Sequence, residues 1–86
     1  MPRAFNIDPD AARFGDVVRE HRERLGWTKK KLAQRAGLTP QYVGIVEDGG
    51  NVPSLATVLE LLEVLGADTG EVMRHLAEER RKPAKG

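Results

Sequence analysis

Residues 28–47, TKKKLAQRAGLTPQYVGIVE, decide the fold. Thr28 carries a side-chain oxygen that can accept a bond from one of the free N–H groups at a helix start. Leu32, Ala33 and Ala36 recur at helical spacing and predict a helix over 29–36 with one apolar face. Gly37 follows, where a left-handed stop meets no Cβ penalty. Thr39-Pro40 opens a second helix over 40–47: Pro40 at the first position loses only an N–H that had no partner. Pro40 also pushes Thr39 out of helical geometry, as a cap requires. Val43 and Val46 then point toward Leu32 and Ala36, leaving Gln41, Tyr42, Gly44 and Ile45 facing outward.

Two short helices joined by a glycine turn, the second with a polar face at its N-terminus, form the pattern that lays a second helix in the major groove of DNA. Helical hairpins also serve as plain scaffold, so the pattern alone leaves both roles open. Charge adds a direction. The net charge is only +1, but residues 19–41 hold seven basic side chains against Glu20 and Glu23. Residues 42–73 hold no Lys or Arg, while Glu47, Asp48, Glu60, Glu63, Asp68 and Glu71 are present. Such asymmetry suits a polyanion on one side, the plainer reading being a solvated helix face.

Outward from this stretch, Asp8-Pro9 is a further start signal and predicts a helix over about 9–25. Phe14, Val18, His21, Arg22 and Leu25 share its stripe; Gly26 ends it and Trp27 plugs the junction. Asp48-Gly49-Gly50-Asn51 is a turn. Helices over 55–65 and 69–81 follow, with Gly66 between them. The fourth is apolar nearly all round, so it must be covered on two sides. Its second cover is a second subunit or the fifth helix, whose apolar side is Val72, Met73 and Leu76; for a dimer joined through these two helices the expected interface is Leu59, Leu61, Val64, Val72 and Leu76. Residues 1–8 read as a flexible arm whose Arg3 could touch DNA, 9–81 as the domain, and 82–86 as a charged tail.

An 86-residue chain has room for one domain with a modest core. It has no Cys, which removes disulfides and thiolate metal sites and fits a reducing cytoplasm. No apolar run approaches the roughly 20 residues needed to span a bilayer, and the start lacks a signal-peptide core. His21 has no second His or Cys at metal spacing, so it reads as a half-buried core residue. No cofactor, metal or small-molecule ligand is indicated. There is no Ser/His/Asp set and no P-loop, and Glu78 and Glu79 are adjacent and project from different sides of a helix. An enzyme is therefore not expected.

The residues Phe14-Gly15, Val18-Arg19, Arg22, Gly26-Trp27-Thr28, Leu32-Ala33, Ala36-Gly37-Leu38, Val43, Val46-Glu47, Gly49, Pro53-Ser54-Leu55 and Leu65-Gly66 resemble the Cro/cI-type, or XRE-type, helix-turn-helix family over about residues 14–67. Tyr42-Val43 with Glu47, Asn51 and Pro53-Ser54-Leu55 is similar to restriction–modification controller proteins and small phage or plasmid repressors. The resemblance implies an all-α, five-helix, lambda-repressor-like domain that binds operator DNA, commonly as a homodimer.

By position, the resemblance turns Pro40, Gln41, Tyr42, Gly44 and Ile45 toward the groove. Gln41 is the expected base reader, because its amide can bond two groups on one purine edge. Tyr42 is open between a phosphate, a thymine methyl and a packing role. Thr39 and Lys29 match phosphate-holding positions, with Lys30 and Arg35 as neighbours. Arg22 and Glu47 match a buried ion pair that links the first helix to the end of the third. The departures are Pro40, Gly44 and Ile45, which replace polar readers, and a loop without Lys at 49–52. There the backbone N–H groups of Gly50 and Asn51 are expected to hold phosphate instead. The implied function is a sequence-specific double-stranded DNA-binding transcriptional regulator, a repressor acting as a homodimer on a palindromic operator. The alternative is an antitoxin-like or accessory protein-interaction module on the same fold.

Overall fold

The computed structural model describes residues 8–82, which form five helices: α1 (Pro9–Arg24), α2 (Lys29–Ala36), α3 (Pro40–Glu47), α4 (Leu55–Leu65) and α5 (Thr69–Arg81). Among these residues there is no strand, and the fold is all-α. Arg3 and the rest of 1–7, and 83–86 of the expected tail, lie outside the described residues. Each helix starts on a side-chain cap: Asp8, Thr28, Thr39, Ser54 and Asp68 accept from N–H groups of the first turn. A cap of this kind contributes about 1 kcal/mol, a useful share in so short a chain. α1 stops at Arg24, and Leu25 is its exposed cap rather than a member of the buried stripe.

α1 is the hub. It packs on α3, α4 and α5, and α2 packs on α3 and α4. The core joins Phe14, Val17 and Val18 of α1, Leu32, Ala33 and Ala36 of α2, Val43 and Val46 of α3, Leu61, Leu62 and Leu65 of α4, and Val72 of α5. Trp27 and Leu38 close it at the ends of α1 and α2.

Two of the expected interface residues are corrected. Leu61 is fully buried and Val72 is 7 % exposed, both in the core of a single chain. α5 folds back over α1 and α4 of its own subunit, which turns Val72 inward. Leu61 lies on the inner side of α4 with Leu62 and Leu65. Val64 and Leu76 are half-buried against the same core. Of the expected set only Leu59 is exposed, and it shares the outer side of α4 with Leu55, which is 72 % exposed; Val52, just before the helix, is 68 % exposed.

Candidate nucleic-acid interface

α3 is held from within at its C-terminal end. Glu47 is buried, and Arg22 grips it with a fork: Nε donates to Oε2 at 2.6 Å and Nη2 to Oε1 at 3.1 Å. The third guanidinium nitrogen, Nη1, donates to Trp27 O at 2.8 Å, so one side chain ties together α1, the entry to α2 and the end of α3. The hydrogen bond to Glu47 raises the Arg22 pKa above its ordinary value, with burial opposing. Arg19 adds a second tie. Its Nη2 donates to Glu47 O at 3.0 Å and lies 3.5 Å from Asp48 Oδ1, placing positive charge at a helix C-terminus.

Close approach completes this seat. Gly15 on α1 lies against the last carbonyls of α3, and a Cβ there would stand 2.7 Å from Glu47 O. Gly49 turns the chain after α3 with φ +75°, and a Cβ there would stand 2.9 Å from Ala12 Cα. Small residues at 12 and 15 therefore let α1 cross the end of α3 with backbone nearly on backbone. The sequence signal was present in that Ala-x-x-Gly spacing, but periodicity reads it only as helix. Arg19 stands among the residues that carry the family resemblance, but its tie to the end of α3 was not expected from the sequence; its partners are 28 and 29 residues away.

The outer face of α3 is left open. Pro40, Gln41 and Ile45 are exposed, while Gly44 and Tyr42 are half-buried. Thr39 accepts from Tyr42 N–H at 3.1 Å, and its own hydroxyl hydrogen stays available to an anion. The Tyr42 hydroxyl donates to Asn51 Oδ1 at 3.1 Å, so it pins the loop after α3. The Asn51 amide nitrogen keeps both of its donors. The Gly50 N–H does not serve as expected: it donates to Ile45 O at 3.0 Å, closing the end of α3 together with the bond from Gly49 N–H to Val46 O. A group already satisfying a helix carbonyl is not free for phosphate.

Lys29 and Lys30 are exposed at the start of α2, and Lys31 is half-buried. The guanidinium of Arg35 stacks over Trp27, 5.3 Å from the ring centroid, which steadies an otherwise flexible cation. Elsewhere, His21, His75, Glu20, Asp68 and Glu71 line a shallow depression between α1 and α5. His21 bonds Val17 O through Nδ1 at 2.9 Å, and among the described residues no group of three or more side chains is placed to hold a metal. No helix of the described residues is long and apolar enough to cross a membrane.

The profile of a helix-turn-helix domain matches residues 13–76. An uncharacterized HTH-type transcriptional regulator of Methanothermobacter thermautotrophicus is 36% identical over 66 residues, covering 77% of this chain and 96% of that one. The crystal structure of the restriction–modification controller protein C.AhdI from Aeromonas hydrophila is similar with a TM-score of 0.70 and 35% identity, over 76% of this chain and 98% of the other. The clp gene regulator ClgR from C. glutamicum shares the fold with a TM-score of 0.75 at 23% identity, over 86% and 96% of the two chains.

Proposed function

Since the chain belongs to the XRE-type helix-turn-helix family of transcriptional regulators, we propose that it is a repressor that binds a palindromic DNA operator as a homodimer. The observation that carries this reading is the open face of α3. Gln41 and Ile45 are uncovered by their own chain, while Arg22, Arg19 and Gly15 fix the other end of the helix. In this reading Gln41 reads a purine edge and Ile45 packs on a thymine methyl. Thr39, Lys30, Arg35 and the Asn51 amide hold phosphates on either side.

The second copy is assigned to the apolar surface at the start of α4. Val52, Leu55 and Leu59 are exposed there, with Met73 of α5 lining the same groove as Val52 and Leu55, in place of the buried Leu61 and Val72. Isolated exposed apolar residues are ordinary, but several together mark an interaction surface. Two-fold symmetry would set the recognition helices about 34 Å apart, on half-sites one turn of DNA apart. The alternative, an accessory module that binds a different protein, draws on the same surface and needs nothing from Gln41.

The test is titration of the protein on its own promoter region and on random DNA at several salt concentrations. The expected result is tighter promoter binding that weakens steeply with salt as counterions are released. Equal affinity for both DNAs would reject the reading. Leu55→Asp and Leu59→Asp should yield monomers in sedimentation. Full function in a Gln41→Ala protein that co-purifies with an unrelated subunit would favour the alternative.

A further inference from the structure

We infer that Lys29 is a base reader, whose ammonium is held over Gly44 to donate to a guanine in the groove occupied by α3. The inference rests on the DNA-binding reading above and assigns part of its specificity. α3 contains no basic residue, and of its outward positions Pro40, Gly44 and Ile45 offer no side-chain donor. The Tyr42 hydroxyl is committed to Asn51. Gln41 is therefore the one free side-chain donor that α3 brings to the groove. The face is completed from α2. The Lys29 side chain crosses onto α3, so that a Cβ on Gly44 would lie 3.9 Å from Lys29 Nζ and 4.0 Å from its Cδ.

Gly44 is not required by the backbone, because the glycines with positive φ are Gly26, Gly37, Gly49 and Gly66. A glycine inside a helix weakens it. What Gly44 provides is space: a Cβ there would already touch the Lys29 side chain at 3.9 Å, and a side chain longer than that of alanine would compete for the place that the ammonium occupies. Lys29, Lys30 and Lys31 also crowd the positive end of the α2 dipole, with no acidic residue in that turn. Among the described residues Lys29, like Lys30, Lys31 and Arg35 on the same helix, forms no ion pair, whereas Arg13, Arg19, Arg22, Arg24 and Arg80 all do. Its charge is left to an external acceptor.

The chemistry selects the base. An ammonium only donates, so it prefers an edge with two acceptors, and guanine O6 and N7 form that edge in the major groove. Gly44 lies three residues after Gln41, about 4.5 Å along the helix, against about 3.4 Å per base step. The guanine should thus lie one or two base pairs from the purine read by Gln41.

The experiment is selection of bound sites from random duplex DNA by the parent, Lys29→Met, Lys29→Arg and Lys30→Met proteins, with melts to confirm folding. The parent should enrich a palindrome with a guanine at one fixed position of each half-site, preferred about 5- to 150-fold. Lys29→Met should keep the palindrome and lose that guanine alone, and Lys29→Arg should retain it. Lys30→Met should weaken all sites evenly and flatten the salt slope by about 0.9 per lost phosphate contact. If Lys29→Met behaves like Lys30→Met, with the selected sequence unchanged, Lys29 is a phosphate contact and the inference is overturned. A parent protein that enriches no sequence overturns the DNA reading itself, a distinct outcome.

Discussion

Gly15→Ala tests the contact that seats α3. In an isolated helix this change stabilises by about 1 kcal/mol, because alanine has less backbone freedom to lose. Here the added methyl would press on Val46 O and stand 2.7 Å from Glu47 O and 2.9 Å from Glu47 C. Carbon–oxygen contacts are comfortable only from about 3.3 Å, so α1 and the end of α3 must part by roughly 1 Å. The obstruction is backbone, not the tip of a flexible side chain. Overpacking of this kind costs roughly 1–3 kcal/mol. The same separation stretches the Arg22–Glu47 fork and the Arg19 bond to Glu47 O, at a further cost of roughly 1–2 kcal/mol. Against the helical gain, stability should fall by about 1–4 kcal/mol. For a domain of this size that lowers Tm by about 5–30 °C. Thermal and urea melts followed by far-UV circular dichroism measure it, with an unchanged m-value confirming that the midpoint reports stability. Gly44→Ala is the control: its Cβ reaches only the Lys29 side chain, at 3.9 Å, so it should gain about 0.5–1 kcal/mol. A Gly15→Ala protein that melts at or above the parent would refute the close approach and the reasoning built on it.

Glu47→Ala leaves the Arg22 guanidinium buried without its partner and should cost about 3–5 kcal/mol. Arg22→Met/Glu47→Leu should regain much of that, because removing both charges leaves none stranded; a double variant no more stable than the single one would contradict this. The raised Arg22 pKa means that its contribution is complete below the unfolded value and is lost only as pH climbs through the still higher folded one. Arg22→Lys brings that loss down to about pH 10–11, so the variant's Tm should drop there more steeply than the parent's, and parallel pH–Tm curves would count against it. Tyr42→Phe removes the bond to Asn51 and should weaken operator binding by about 0.5–1.5 kcal/mol with little change in Tm. Combined with Asn51→Ala it should add almost nothing further, and full additivity in binding titrations would show that the two residues act separately.

The local grammar of this chain was legible without coordinates. Capping residues at 8, 28 and 39, prolines at first helical positions, and glycines at 26, 37 and 66 placed helix ends correctly, because each depends on a few adjacent residues. The periodicity of Leu32, Ala33, Ala36, Val43 and Val46 fixed which faces of α2 and α3 meet. Together with family likeness, this carried the outward exposure of Gln41 and Ile45 and the pairing of Arg22 with Glu47. It could not sort the apolar residues of α4, since a helix apolar nearly all round has no preferred face until its neighbours are placed. Only the packing of α4 against α1, α2 and α5, and of α5 against α1, put Leu61 and Val72 inside and left Leu55 and Leu59 outside. The bond from Gly50 N–H to Ile45 O is by contrast local, the stop that Gly49 imposes on α3, whereas tertiary structure alone brought Arg19 to the end of α3 and laid Lys29 across Gly44. These bonds and contacts join backbone or side chains whose directions are set by how helices cross, and a linear pattern carries no information about crossing.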